Sequence, residues 1–108
     1  MDLENNTVAH IPDLLTEYEI FQKSTQKKDF DLKYFALGLG GEVGEVQNEI
    51  KKLERDDNNI LTEERKENIK KELGDVLWYL TGLCNNIGCN LKDILKTNIK
   101  KLKKNRVE

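Results

Sequence analysis

The sequence predicts an all-α fold: a four-helix bundle formed by one domain spanning residues 1–108. Three observations point there. Apolar residues recur at steps of three and four along most of the chain, the spacing of one helix face. Proline occurs once, while charged residues make up 35% and apolar residues 37%, the balance of a heavily solvated helical protein rather than a β-sandwich. Caps and glycines punctuate the pattern at short intervals, marking where helices begin and stop.

Met1 to His10 reads as a flexible polar tail, and His10, the only histidine, is expected to be inert. Ile11-Pro12-Asp13 is a helix entry, since proline suits the first helical position, where its missing N–H has no intrahelical partner. Leu14, Tyr18 and Phe21 then recur at helical spacing, and this first helix fades near Ser24. The polar connector STQKKD leads to a second helix, in which Ala36, Leu39, Val43, Val46, Ile50 and Leu53 form a seam. The same helix carries Gly38, Gly40, Gly41 and Gly44. Each glycine costs roughly 0.8 to 1 kcal/mol relative to alanine in a helix interior, so a local reason is needed, either close approach of another helix or a bend before Glu42. A phosphate loop is not that reason. No Lys-Ser or Lys-Thr follows, and the preceding DLKYFAL shows no strand pattern.

ERDDNNIL is a charged connector, and Thr62 is placed to cap a third helix through Ile69, Leu73, Val76, Leu80 and Leu83. Leu77, Trp78 and Cys84 widen its apolar face, so this helix should be the most buried. Asn85-Asn86-Ile87-Gly88 supplies a glycine where a helix would end. Asn90 caps the last helix with Asp93 at the third helical position, and Leu91, Leu95, Ile99 and Leu102 face inward.

A net charge of −2 gives no pull toward nucleic acid. The local exception is KTNIKKLKKNR, Lys96 to Arg106, which holds five lysines, one arginine and no acid. It is either a solvated face favoured by the helix dipole or a surface for an anionic ligand. Cys84 and Cys89 are spaced C-x4-C without a nearby histidine, unlike the usual C-x2-C metal and redox spacings, so free thiols in a reducing cytoplasm are expected. The apolar run VLWYLTGLC is far short of the ~20 residues that span a bilayer. The N-terminus lacks a basic and apolar signal pattern. A cytoplasmic protein without a membrane or nucleic-acid-polymer partner is expected.

Acid-x-x-acid pairs led by Glu occur at Glu42/Glu45, Glu54/Asp57, Glu64/Glu67 and Glu72/Asp75, no more often than chance produces them in so acidic a chain. Direction separates them. At about 100° per residue, with Val43 at zero, Glu42, Glu45 and Glu49 fall at about 260°, 200° and 240°, a stripe flanking the second helix's seam. With Val76 at zero, Glu72, Asp75 and Tyr79 fall at about 320°, 260° and 300° on the third helix. Seam-flanking positions normally carry opposite signs on paired helices, whereas both stripes here are acidic. Carboxylates ~5 Å apart at an effective dielectric of ~20 repel by about 3 kcal/mol. Facing stripes therefore require a cation or raised pKa values, and Mg²⁺ accepts carboxylates while keeping positions for water and phosphate. The alternative is two stripes that simply face solvent.

G-E-V-G-E-V-Q-N-E-I-K-K (Gly41 to Lys52), E-L-G-D-V-L-W-Y-L (Glu72 to Leu80) and N-I-K-K-L (Asn98 to Leu102) together resemble the MazG-like members of the all-α nucleotide pyrophosphohydrolase superfamily, over roughly residues 32 to 104. The resemblance implies a Mg²⁺-dependent enzyme, with Mn²⁺ as a substitute, that cleaves a nucleoside triphosphate to the monophosphate and pyrophosphate. It implies metal ligation by Glu42, Glu45, Glu72 and Asp75, with Glu49 as an accessory acid orienting the attacking water. It further implies substrate contacts from Tyr79, Asn98 and Lys101. The family tends to place an arginine just beyond the last segment, where this chain has Asn105 and then Arg106. Independently, Asn98 falls at about 300° with Leu95 at zero, inside an apolar stripe, either as a register-fixing buried amide or as a substrate contact, with Lys101 beside it at about 240°.

Two other functions remain open on sequence grounds: a phosphoribosyl-ATP pyrophosphatase with the same helical fold, and a non-catalytic helical dimerisation or regulatory module. Two long seams, plus Trp78 at about 200° on the third helix and so away from its seam, exceed what one small bundle covers. A homodimer or homotetramer is expected to complete the fold.

Overall fold

The computed structural model describes residues 11–106. Met1 to His10, including the expected tail and His10, lie outside the described residues. Four helices follow in order: α1 (Ile11–Thr25), α2 (Leu32–Asp56), α3 (Glu63–Asn86) and α4 (Leu91–Arg106). No strand occurs among the described residues, so the all-α, four-helix expectation holds.

Local chemistry sets the boundaries. The Asp31 side chain accepts the Tyr34 N–H at 2.9 Å and starts α2. Helix α2 runs to Asp56, past the start of the expected ERDDNNIL connector. It ends where the Asp57 and Asn59 N–H groups both turn back to the Leu53 carbonyl, at 3.1 and 3.2 Å. Asn58 and Asn59 take left-handed φ of 54° and 61° there, a conformation asparagine tolerates better than most residues. Thr62 caps α3 as expected, accepting the Arg65 N–H at 3.1 Å. Asn90 and Asp93 form a reciprocal capping box: the Asp93 N–H donates to Asn90 Oδ1 at 2.9 Å and the Asn90 N–H to Asp93 Oδ2 at 3.1 Å.

Helices α2 and α3 form the central antiparallel pair. Facing partners run Phe35 to Gly82, Gly38 to Tyr79, Glu42 to Asp75 and Glu49 to Arg65, descending on one helix as they ascend on the other. Two glycines have the close-approach explanation. A Cβ on Gly38 would run into the Tyr79 ring, and one on Gly82 into the Phe35 ring. Gly40, Gly41 and Gly44 face open space, so nothing in the single chain explains them.

Helix α1 docks on α3 where Trp78 Nε1 donates to Thr25 Oγ1 at 2.7 Å. Trp78 also packs against Phe35 and Tyr79, ring centroids 5.8 and 5.0 Å away. It is therefore used within the chain and is not the surplus surface that its angle on the wheel implies. Helix α4 packs chiefly on α1, and the Leu91 N–H donates to Glu19 Oε1 at 3.0 Å.

Helix α3 supplies Thr81, Gly82 and Cys84 to the buried interior, joined by Phe35 and Leu91. The expected seams are covered unequally: on α3 only Leu73 is exposed, whereas α2 and α4 leave more of theirs open. On α2, Leu39, Val46 and Leu53 are half-buried while Ala36, Val43 and Ile50 are exposed. On α4, Leu95, Ile99 and Leu102 are each about half exposed, and Asn98 lies among them in the open rather than under a partner. On α1, Phe21 faces out and Gln22 takes the inward position of that turn, fully buried.

Candidate metal centre and active site

Glu72 and Asp75 stand three residues apart on α3, so they share one face. The antiparallel register sets Glu42 of α2 opposite them, and one oxygen from each carboxylate lies within 4.8 Å of the others. The packing next to this cluster is tight because Gly38, one turn before Glu42, has no side chain to hold off the Tyr79 ring, one turn beyond Asp75.

The electrostatics are those of uncompensated like charge. Burial, followed by the charges of Asp75, Glu72 and Glu45, holds the Glu42 carboxyl above its ordinary range. Among the described residues no ion pair engages Glu42, Glu72 or Asp75. Tyr79 shares a hydrogen bond of 3.4 Å with the Tyr34 hydroxyl. That bond first, then burial and nearby charge including Glu42 and Asp75, pushes its phenol up to about 12. Tyr79 is thus a neutral donor at neutral pH. The charge of Asp75 is also felt at Tyr18 of α1: burial, then that charge, raises its phenol. Sequence reasoning placed Tyr18 only on a helix face, and its link to Asp75 has no signature in local spacing.

The other expected site residues lie apart. Glu45 is exposed and outside the three-carboxylate set, though near enough to perturb Glu42. Glu49 is buried at the α2–α3 interface, where its Oε1 accepts from Arg65 Nη1 at 2.9 Å and its Oε2 from Lys52 Nζ at 3.4 Å. Those bonds, Arg65's first, hold the Glu49 carboxyl below its ordinary range. Glu49, the acid expected to orient water, is tied into an interhelical ion pair. Asn98 and Lys101 are exposed on α4, and no hydrogen bond among the described residues engages either side chain.

The donor set fits a divalent ion. Three hard carboxylate oxygens converge, no lysine or arginine among the described residues pairs with them, and the rest of the coordination sphere would be left to water and substrate.

The fold and site define an all-α protein whose central helical hairpin carries a two-helix carboxylate cluster, a candidate cation site. A family model described as the MazG nucleotide pyrophosphohydrolase domain matches residues 30–106, and the chain belongs to that family. The Gene 37 protein of Mycobacterium phage L5 is 39% identical over 71 residues, which cover 66% of this chain and 62% of that protein. The chain thus spans less than two thirds of that relative's length. No solved structure matches it.

Proposed function

We propose that the protein hydrolyses nucleoside or deoxynucleoside triphosphates to the monophosphate and pyrophosphate, with Mg²⁺ as the resident ion. The observation that carries this reading is the convergence of Glu42, Glu72 and Asp75, unpaired, in a chain of this family. Glu45 is the fourth candidate ligand. A divalent ion bound there would polarise phosphate oxygens and lower the pKa of a bound water.

The chain's own residues hold and orient the substrate. The neutral phenol of Tyr79 can donate to a phosphate or sugar oxygen, one turn from the carboxylates. Lys101 supplies a positive charge, and Asn98 an amide, from α4. The carboxylate cluster itself contains no cation, so an anionic triphosphate gains from both the metal and α4. Glu49 serves here as the acceptor that fixes α2 against α3 through Arg65. The exposed halves of the α2 and α4 seams support assembly into a homodimer or homotetramer, in which those faces are covered. A screen of ribo- and deoxyribonucleoside triphosphates for pyrophosphate release, with and without Mg²⁺, tests the reading.

A further inference from the structure

The turn between α3 and α4 joins the chain's two cysteines by a backbone hydrogen bond. Gly88, at φ 78°, donates its N–H to the Asn85 carbonyl at 3.3 Å, and the Cys89 N–H reaches back to the Cys84 carbonyl at 3.0 Å. This nested pair of reversed bonds is a Schellman stop, a geometry in which the side chain just after the glycine meets the one five positions earlier. Hydrophobic side chains usually make that contact. Here two cysteines occupy those two positions, with Cys84 only 2% exposed and Cys89 half-buried. The thiols are electrostatically linked as well, since burial and then the Cys89 sulfur push the Cys84 thiol up to about 11. The C-x4-C spacing conceals this proximity, which arises from the left-handed residue between the two cysteines.

We propose that Cys84 and Cys89 form a modification site: a dithiol that closes into an intrachain disulfide on reaction with a low-molecular-weight disulfide, stapling the last turn of α3 to the entry of α4. The more exposed Cys89 thiolate attacks one sulfur of the small disulfide, forming a mixed disulfide and expelling one small thiolate. Cys84 then gives its proton to solvent and its sulfur attacks the Cys89 sulfur. The protein disulfide forms, and the second small thiolate leaves. Two cysteine thiols are oxidised and one small disulfide is reduced to two thiols. The staple lies directly beside the Asn90–Asp93 cap, so it fixes the direction in which α4, with Asn98 and Lys101, leaves the bundle. The proposal does not depend on the hydrolytic reading.

The test incubates the folded full chain with oxidised glutathione, then counts free thiols and measures intact mass. The expected result is loss of both thiols, a mass lower by two hydrogens, no retained glutathione, a single chain on a non-reducing gel, and recovery of both thiols on reduction. Cys84→Ser should instead keep a glutathione adduct on Cys89, and Cys89→Ser should stay largely unmodified, each checked for folding by thermal melt. Persistence of both thiols, a stable adduct on wild-type Cys89 beside a free Cys84, a disulfide between two chains, or closure only in denaturant would each overturn the proposal.

Discussion

The ring of Tyr79 on α3 occupies the space that a side chain on Gly38 of α2 would fill. The glycine is thereby tied to the site, because Glu42 lies one turn beyond it on α2 and Asp75 one turn before Tyr79 on α3, and the same approach sets the carboxylates facing.

Gly38→Ala should destabilise the protein by about 1 to 3 kcal/mol, the usual cost of overpacking. Gly74→Ala, whose added methyl meets nothing within 4 Å, should gain roughly 0.5 to 1 kcal/mol from helix propensity alone. Urea denaturation of the two variants reads the contrast. Equal shifts would mean that the helices do not approach closely at Gly38.

Glu42→Gln and Asp75→Asn should each lower kcat/KM by roughly 100-fold or more, the scale of removing one preorganised electrostatic contact. Both should raise the melting temperature without metal, since each removes a charge repelled by its neighbours. Added Mg²⁺ should stabilise the wild type and not the variants. Variants that keep near-normal turnover at saturating Mg²⁺ would place the site elsewhere.

The Glu49–Arg65 pair predicts a pH dependence of stability. Because the folded-state pKa of Glu49 is lowered, its contribution is fully present above the ordinary carboxylate range and is lost as pH falls through that range toward the folded value. Glu49→Gln should therefore lower the melting temperature at pH 7, with the deficit shrinking on acidification. Its loss of turnover should be much smaller than that of Glu42→Gln. A deficit that stays constant with pH would show that the ion pair contributes nothing.

Helix α4 supplies a contrast between two lysines. Lys101→Ala should lower kcat/KM about ten-fold or more, the worth of a charge-assisted contact, whereas Lys103→Ala, at about 80° with Leu95 at zero, should change it little. Ile99→Glu, in the exposed apolar stripe, should shift sedimentation toward a monomer. Equal small effects of the two lysine changes would return the basic run to the role of a solvated face.

Much of this fold was readable in the chain because its signals are local. Thr62, Gly88 and the Asn90–Asp93 box act within one turn, and each is found where spacing put it. The directions of Glu42, Glu72 and Asp75 were readable too, since a helical wheel reports which way a side chain points. A wheel does not report what waits there. Glu49 points toward the α2–α3 interface as the other acids do, but its partner Arg65 lies 16 residues away across a connector. Trp78 looked surplus because its angle was judged against one seam, whereas α1 docks on that side with Thr25. Leu95, Asn98 and Ile99 looked inward because periodicity marks an apolar stripe without saying whether this chain or another one covers it. The pairing of Cys84 with Cys89 has no signature in C-x4-C spacing because a left-handed glycine brings together residues that helical spacing keeps apart.

The central claim is that the unpaired carboxylates of Glu42, Glu72 and Asp75 hold a divalent ion for cleavage of a triphosphate. The most direct measurement is product analysis after incubating the purified protein with nucleoside and deoxynucleoside triphosphates and Mg²⁺, beside Asp75→Asn and a chelator control. The expected result is monophosphate and pyrophosphate in equal amounts from at least one nucleotide, lost in both controls. Release of orthophosphate with diphosphate, equal product in the Asp75→Asn sample, or no product from any nucleotide with Mg²⁺ or Mn²⁺ would contradict the claim.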